Sequence, residues 1–316
     1  MIVHGGAGGR AAPADRSERR RGLLAAAARG GEILRAGGAA IDAVIAAVTV
    51  LEDHPFFNAG YGSLLTTEGW VEMDAAVMTA ERRGRSRTAY PEIRAGGVIL
   101  ISRVRNPIRL ARAVMDLTPH LLMAGAGAER LARRAGIELC RPNELISPHA
   151  RARWLANRAA PDARAASPSE TKAAGGGDKH GTVGAVARDR HRNLAAATST
   201  GGVPGKLPGR IGDSAIIGAG LFASARGAAS ATGAGEAILR AGLCRGAVEA
   251  CGRGTPHAAA ERAIRMLDGA EAGVILIDAK GRIGFAHSAQ AMEIATFDPF
   301  VGTRHLTPAA MTAIAE

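Results

Sequence analysis

Strand-like and helix-like blocks alternate along this chain and predict a mixed α/β (α+β) fold, sheets covered by helices. Two stretches carry that expectation. In Ala39–Leu51, Ile41, Val44, Ile45 and Val48 recur at i, i+3, i+4 and i+7, the buried stripe of an amphipathic helix. Thr182–Ala187 and Leu194–Thr200 are runs of small and β-branched residues flanking a polar turn at Asp189–Asn193, which predicts a hairpin.

Taken in order, residues 2–4 read as a short strand entering a Gly-rich turn, Gly5–Gly9. Ser17–Ala36 reads as a helix ahead of Ala39–Leu51. Glu52–Ser63 breaks that pattern with His-Pro and two Gly, so it reads as a loop. Val71–Ala80 and Gly96–Ser102 look like strands; Pro107–Met115 and Ala126–Ala135 look like helices. Residues 159–179 hold two Pro, three consecutive Gly and almost no large apolar side chain, the composition of a flexible linker. After the hairpin, helices at Gly235–Ala241 and Pro256–Leu267 precede strands at Gly273–Asp278 and Arg282–His287. No internal repeat is evident.

Composition narrows the function classes. The 316 residues are 47% hydrophobic and 22% charged, which excludes a largely disordered chain. The 42 Gly follow no G-X-Y period, which excludes collagen. The net charge of +11 is carried almost entirely by Arg, since Lys occurs only at 172, 179, 206 and 280; this is a compositional habit as much as a binding device. With no aromatic interleaving to stack bases, nucleic-acid binding rests on charge alone. The N-terminus resembles a buried strand rather than a secretory signal. The most apolar stretch, 13 residues containing Asp42, falls short of the ~20 needed to span a bilayer. Cys140, Cys244 and Cys251 form no CxxC pair, and free thiols fit a reducing cytoplasm. GGVPGKL (201–207) fails the phosphate-loop pattern at Thr200 and Leu207, Gly125-x-Gly127 lacks a third Gly, and the nine His contain no zinc spacing.

The informative junction is Lys179-His180-Gly181-Thr182-Val183, where a hydroxyl residue opens a strand directly after the linker. On these residues alone, Gly-Thr simply begins a strand. If the Gly181–Thr182 bond were cut, however, Thr182 would carry a free α-amine of pKa ~7.7–8.0 beside its own Oγ. That amine can act as general base for the hydroxyl, the N-terminal form of an activated nucleophile. A residue without Cβ at 181 suits attack on its own carbonyl.

The surrounding segments are HGGAG (4–8), FNAGYGSLL (57–65), MDAAVM (73–78), RNPIRLARAVM (105–115) and HGTVGAVARD (180–189). NLAAATSTGG (193–202), KLPGRIGDSAIIGAG (206–220), ATGAGE (231–236) and AGVILID (272–278) continue the series. Together, over roughly residues 2–290, the chain resembles the plant-type (type 2) L-asparaginases and isoaspartyl aminopeptidases, N-terminal nucleophile (Ntn) hydrolases with a Thr nucleophile. The resemblance implies a four-layer αββα sandwich made as one precursor. It implies self-cleavage into an α chain 1–181, ending in the linker 159–181, and a β chain 182–316, usually paired as (αβ)2.

By the same resemblance Thr182 is the nucleophile, freed by cleavage between Gly181 and Thr182, and Thr200 orients it. Arg210 and Asp213 hold the substrate's α-carboxylate and α-ammonium, a pairing that suits a zwitterion. Thr232 and Gly233 form the oxyanion site, Gly235 lies on the substrate loop, and Asn58 helps shape the site. Main-chain oxygens of Leu51, Glu52, His54, Phe57, Ala59 and Tyr61 would hold a structural Na⁺; no organic cofactor is implied. The expected reaction is hydrolysis of L-asparagine or β-aspartyl peptides through a Thr acyl-enzyme, with no nucleic acid or membrane as partner. A hydrolase of glycosylated or otherwise N-substituted Asn is the alternative, although glycosylasparaginases more often show Asp before the Thr. A basic nucleic-acid-binding protein is the contender from another class. The segment FAHSAQAM (285–292) departs from the Phe-Asn-Thr…Gly-Met of many relatives, and the tail to 316 lies outside the clearest resemblance.

Overall fold

In a computed structural model of the chain, residues 1–9, 13–82, 91–159 and 181–306 are described. The expected linker lies, from 160 to 180 and with His180, outside the described residues, as does the end of the tail, 307–316.

The chain runs β1 (Ile2–Gly8), α1 (Pro13–Arg35), α2 (Ala40–Asp53), β2 (Met73–Glu81), β3 (Glu92–Ile101), α3 (Pro107–Leu117), β4 (Leu122–Ala124), α4 (Gly125–Arg134) and α5 (Pro148–Ala159). It continues with β5 (Val183–Arg188), β6 (Leu194–Thr200), β7 (Leu221–Ser224), β8 (Gly227–Gly233), α6 (Gly235–Ala241), α7 (Leu243–Ala250), α8 (Pro256–Arg265), β9 (Ala272–Asp278), β10 (Ile283–His287), β11 (Ala291–Asp298) and β12 (Gly302–Leu306). Among the described residues the strands form two sheets, ordered β12-β11-β1-β5-β6-β2-β3-β4 and β10-β9-β8-β7. Each expected helix and strand is present with its ends moved by a few residues. One expectation is corrected: Gly5–Gly8 is not a turn but the second half of β1. There β1 stops pairing with β5 after His4 and, past a bulge, pairs with β11 through Ala7 and Gly8. Glycine disfavours strands in isolation, but the ladder to β11 overrides that preference.

Three apolar layers explain the stacking. Leu23, Val44, Val48, Leu51 and Ile108 of α1, α2 and α3 cover the outer face of the large sheet, with Val3, Val183 and Ala185. Ile238, Val248 and Ala260 of α6, α7 and α8 cover the outer face of the small sheet, with Ala229 and Val274. Between the sheets lie Ile2, Ala76, Val186, Ala196, Ala228 and Ile275. The architecture is therefore a four-layer αββα sandwich. Alternation along a strand has period two, so the inter-sheet face of β5 that buries Val186 also presents Gly184 and Thr182. On β1 the same face presents Ile2 and His4, and on β8 it presents Ala228, Ser230 and Thr232. At one end of the interlayer the apolar residues thus give way to polar ones.

Candidate active site

Thr182, immediately ahead of β5, is 7% exposed, and its Oγ1 donates to Thr200 Oγ1 at 3.1 Å. Ser214 Oγ lies 3.3 Å from Thr182 Oγ1 on another side. Thr200, the last residue of β6, also accepts from Gly202 N–H at 3.0 Å, which fixes its rotamer. The sheet register produces this cluster: β5 and β6 pair Val183 with Ser199, which brings the hydroxyls at the two strand ends together.

Gly181, Thr182, Thr200, Gly202, Val203, Arg210, Asp213, Ser214 and Gly233 line one small cleft. Arg210 is held bidentately by Glu236, with Nε and Nη2 at 3.0 and 2.9 Å from its two oxygens. Asp213 is 4% exposed, and burial pushes its carboxyl up to about 7. Its Oδ2 meets no hydrogen-bond partner among the described residues. A Cβ on Gly235 would stand 2.8 Å from Arg210 Nη2 and 2.9 Å from Asp213 Oδ1, so the missing side chain leaves both groups room. One cation and one carboxyl with an unpartnered oxygen therefore face a common space in the cleft.

The expected oxyanion pair is divided between cleft and interior. Gly233 lines the cleft with φ of 134°, a conformation that favours glycine. Thr232 is fully buried, its Oγ1 accepting from Ala7 N–H at 3.3 Å. Asn58 braces the junction: its Nδ2 donates to Gly202 O at 2.6 Å, and its Oδ1 accepts from Leu64 N–H at 2.8 Å. A Cβ on residue 181 would come within 2.7 Å of Asn58 Cβ, which accounts for glycine there.

The loop after α2 was expected to offer carbonyl oxygens. A Cβ on Gly62 would meet the oxygens of Phe57, Pro55 and His54 at 2.1, 2.9 and 3.0 Å, and one on Gly60 would meet Glu52 O at 2.3 Å. The loop's oxygens thus converge on a cradle kept open by two glycines. Arg19, 6% exposed, anchors it by donating to Phe56 O at 2.8 Å and to Gly5 O at 2.9 Å. Glu52 is fully buried, and burial raises its carboxyl to about 8. Its Oε1 accepts from Ser199 Oγ at 2.7 Å and from Ile108 N–H at 3.0 Å.

Ser214, Glu236 and the pair His4–Ser230 were not singled out from the sequence as site residues. Ser214 and Glu236 do sit inside the quoted motifs GRIGDS and ATGAGE, so their position was visible although their contacts were not. Among the described residues no cluster of His, Cys, Asp and Glu could hold a metal ion, and no helix is long and apolar enough to cross a membrane.

Comparison with known proteins gives the same neighbourhood. The Asparaginase_2 family model, described as asparaginase, matches residues 1–301, further than the sequence resemblance reached. An isoaspartyl peptidase/L-asparaginase of Bos taurus is 44% identical over 78% of this chain and 74% of its own. A plant-type L-asparaginase of Pyrobaculum calidifontis is 40% identical over 92% of this chain and 94% of its own. An isoaspartyl peptidase of Salmonella typhimurium is 43% identical, covering 76% and 74%.

Proposed function

The chain belongs to the Asparaginase_2 family, and from that premise we propose a self-cleaving β-aspartyl amidohydrolase acting on L-asparagine and N-terminal isoaspartyl peptides. The observation that carries the reading is the hydroxyl cluster of Thr182, Thr200 and Ser214 in the same cleft as Arg210 and Asp213. A nucleophile and the two charges that a zwitterionic head group requires converge on one small space.

In the continuous chain Thr182 N is an amide. Attack of Thr182 Oγ on the Gly181 carbonyl transfers the acyl group from nitrogen to oxygen, and water then releases the Gly181 carboxylate and the free α-amine. In turnover that amine takes the hydroxyl proton as Oγ attacks the side-chain amide carbon of the substrate, and returns it to the departing ammonia or amino acid. Water cleaves the acyl-enzyme and L-aspartate leaves. Thr200 and Ser214 orient Oγ, while Thr232 and Gly233 stabilise the tetrahedral oxyanion, where one donor is typically worth ~2.7–4 kcal/mol. Arg210 takes the α-carboxylate and Asp213 the α-ammonium, whose charge draws the Asp213 carboxyl back toward ionisation.

The carbonyl cradle suits a hard monovalent cation. Leu51, Glu52, His54, Phe57, Ala59 and Tyr61 would hold a structural Na⁺ by main-chain oxygens, stiffening the loop that carries Asn58. We further propose cytoplasmic residence and an (αβ)2 assembly, testable by fractionation and by native mass.

A denaturing gel and intact mass are expected to show two fragments with a new N-terminus at Thr182. Thr182→Ala is expected to remain one chain and to release no aspartate; wild-type-like processing of that variant would refute the nucleophile. Comparing aspartate release from Asn, β-Asp-Leu and GlcNAc-Asn ranks the substrates, and a preference for the glycosylated substrate would overturn the assignment.

A further inference from the structure

Beneath the row of Thr182, Thr200 and Thr232 lies a second polar row that the proposed chemistry does not use. Along β1, β5, β6 and β8 it consists of His4, Gly184, Thr198 and Ser230, two residues from the chemistry on each of the last three strands. His4 and Ser230 are fully buried, and His4 Nε2 lies 2.8 Å from Ser230 Oγ. This bond joins the two sheets, because β1 belongs to the eight-stranded sheet and β8 to the four-stranded one. It passes over Gly184: a Cβ there would sit 1.9 Å from Ser230 Oγ and 2.5 Å from His4 Nε2. Three segments far apart in sequence therefore interlock at one point, and neither the His4 nor the Ser230 side chain lines the cleft.

Its position gives the bond a consequence. Two residues beyond Ser230, β8 ends in Thr232 and Gly233; two residues before Gly184 stands Thr182. The Ala7 N–H to Thr232 Oγ1 bond at 3.3 Å is a second tie from β1 to β8, on the cleft side of the first. The nucleophile belongs to one sheet and the oxyanion donors to the other, so their separation is the inter-sheet separation at this end of the sandwich. Apolar contacts alone tolerate sliding, whereas a hydrogen bond of fixed length does not. Burial pushes His4 down to about 3, so the imidazole stays neutral and the bond persists across the working pH range.

We propose that His4 and Ser230 are positioning residues: their inter-sheet hydrogen bond sets the distance between the Thr182 nucleophile and the Thr232–Gly233 oxyanion donors. The inference rests on the amidohydrolase reading above. A misplacement of about 1 Å at a reacting centre can cost about a hundredfold in rate. Loss of the bond should therefore lower kcat and slow self-cleavage while KM, set by Arg210 and Asp213, changes little.

The experiment compares Ser230→Ala, His4→Leu, the double variant and His4→Gln, whose amide reaches the place of Nε2. Processing is followed on gels, kcat and KM by aspartate release, and folding by thermal melting. We expect Ser230→Ala and His4→Leu each to lose about tenfold to a hundredfold in kcat with KM within about threefold. The double variant should be no worse than either single, and His4→Gln should recover most of the loss. Wild-type kcat in Ser230→Ala, losses that multiply in the double variant, or losses that fall on KM would each overturn the inference. Should His4→Leu fail to fold, Ser230→Ala and His4→Gln, which keep the packing volume, decide it between them. A wild-type chain that neither cleaves nor releases aspartate would instead sink the amidohydrolase reading, and the inference with it.

Discussion

In the role proposed for Asp213, binding and stability pull in opposite directions. Its carboxyl is raised from 3.8 to about 7, first by burial and against the pull of Arg210. The folded chain therefore holds a proton there that the unfolded chain has already released. The associated stability is fully present below about pH 4 and is lost as pH rises through about 7. Asp213→Asn removes that loss. We predict that it melts higher than wild type above pH 7, by an increment on the order of a few kcal/mol at most, and that the gap closes toward pH 4. The same variant should release little or no aspartate, because a neutral amide is a poor partner for an ammonium. Melting curves at pH 4 and 8 check the first statement, and a variant no more stable at pH 8 would contradict it. Asp213 and Arg210 could be chosen from the sequence only through the family resemblance of PGRIGDS; a lone Arg-x-x-Asp reads as a loop salt bridge, although its chemistry does suit a zwitterion. The bidentate grip of Glu236 on Arg210 could not, since 26 positions and the two strands β7 and β8 separate the partners.

Among the elements, α2 shows how a helix can be capped from outside its own sequence. Its N-cap residue, Ala39, offers no side-chain acceptor. Asp189, in the turn of the β5–β6 hairpin, instead accepts from Ala40 N–H at 3.2 Å while bonding His191 N–H, Asn193 N–H and Asn193 Nδ2 at 2.9–3.0 Å. Asp189→Ala should cost about 1–3 kcal/mol, read as a lower melting temperature or denaturation midpoint. Asp189 is roughly 20 Å along β5 from Thr182, so turnover per folded molecule should be unchanged; a large fall in kcat would sink this account. At this scale, elements with a local signal were legible: α2 stands close to where its apolar stripe puts it, and β5 and β6 where small and β-branched runs flank a polar turn. Strands whose only signal is a partner were not. β8 is GAASATG, with neither a β-branched run nor alternation, and it becomes a strand through ladders to β7 and β9. β11 and β12 lie in the tail outside the clearest resemblance, although β11 pairs directly with β1. The polar row under the site was hidden for the same reason: His4 and Ser230 are 226 positions apart and meet only when the sheets stack.

On the scale of the whole molecule, the position of the 181–182 bond decides what the proposed cleavage would do. β5, the first strand after it, lies between β1 and β6 in the large sheet, while β6 pairs with β2 and β11 with β1. Ladders therefore cross between residues before and after the bond at three places. The interlayer core mixes the two sides as well, with Ile2 and Met78 against Val186, Ile275 and Ile294. A division of 316 residues into two independent domains does not describe this chain; one sheet is shared by both halves. Cutting the bond removes a covalent link but leaves the ladders and core in place. We predict that the processed protein shows two bands in denaturant while both fragments travel together in native buffer, with a melting temperature close to that of Thr182→Ala. Fragments that separate without denaturant would refute it. The same topology makes assembly from separate pieces slow, because residues 1–181 alone leave β1 and β2 without the two strands that stand between them. Within one chain the linker supplies those strands at high effective concentration. Coexpressed 1–181 and 182–316 should accordingly yield much less active protein than the full chain, and equal yields would show that the halves fold independently.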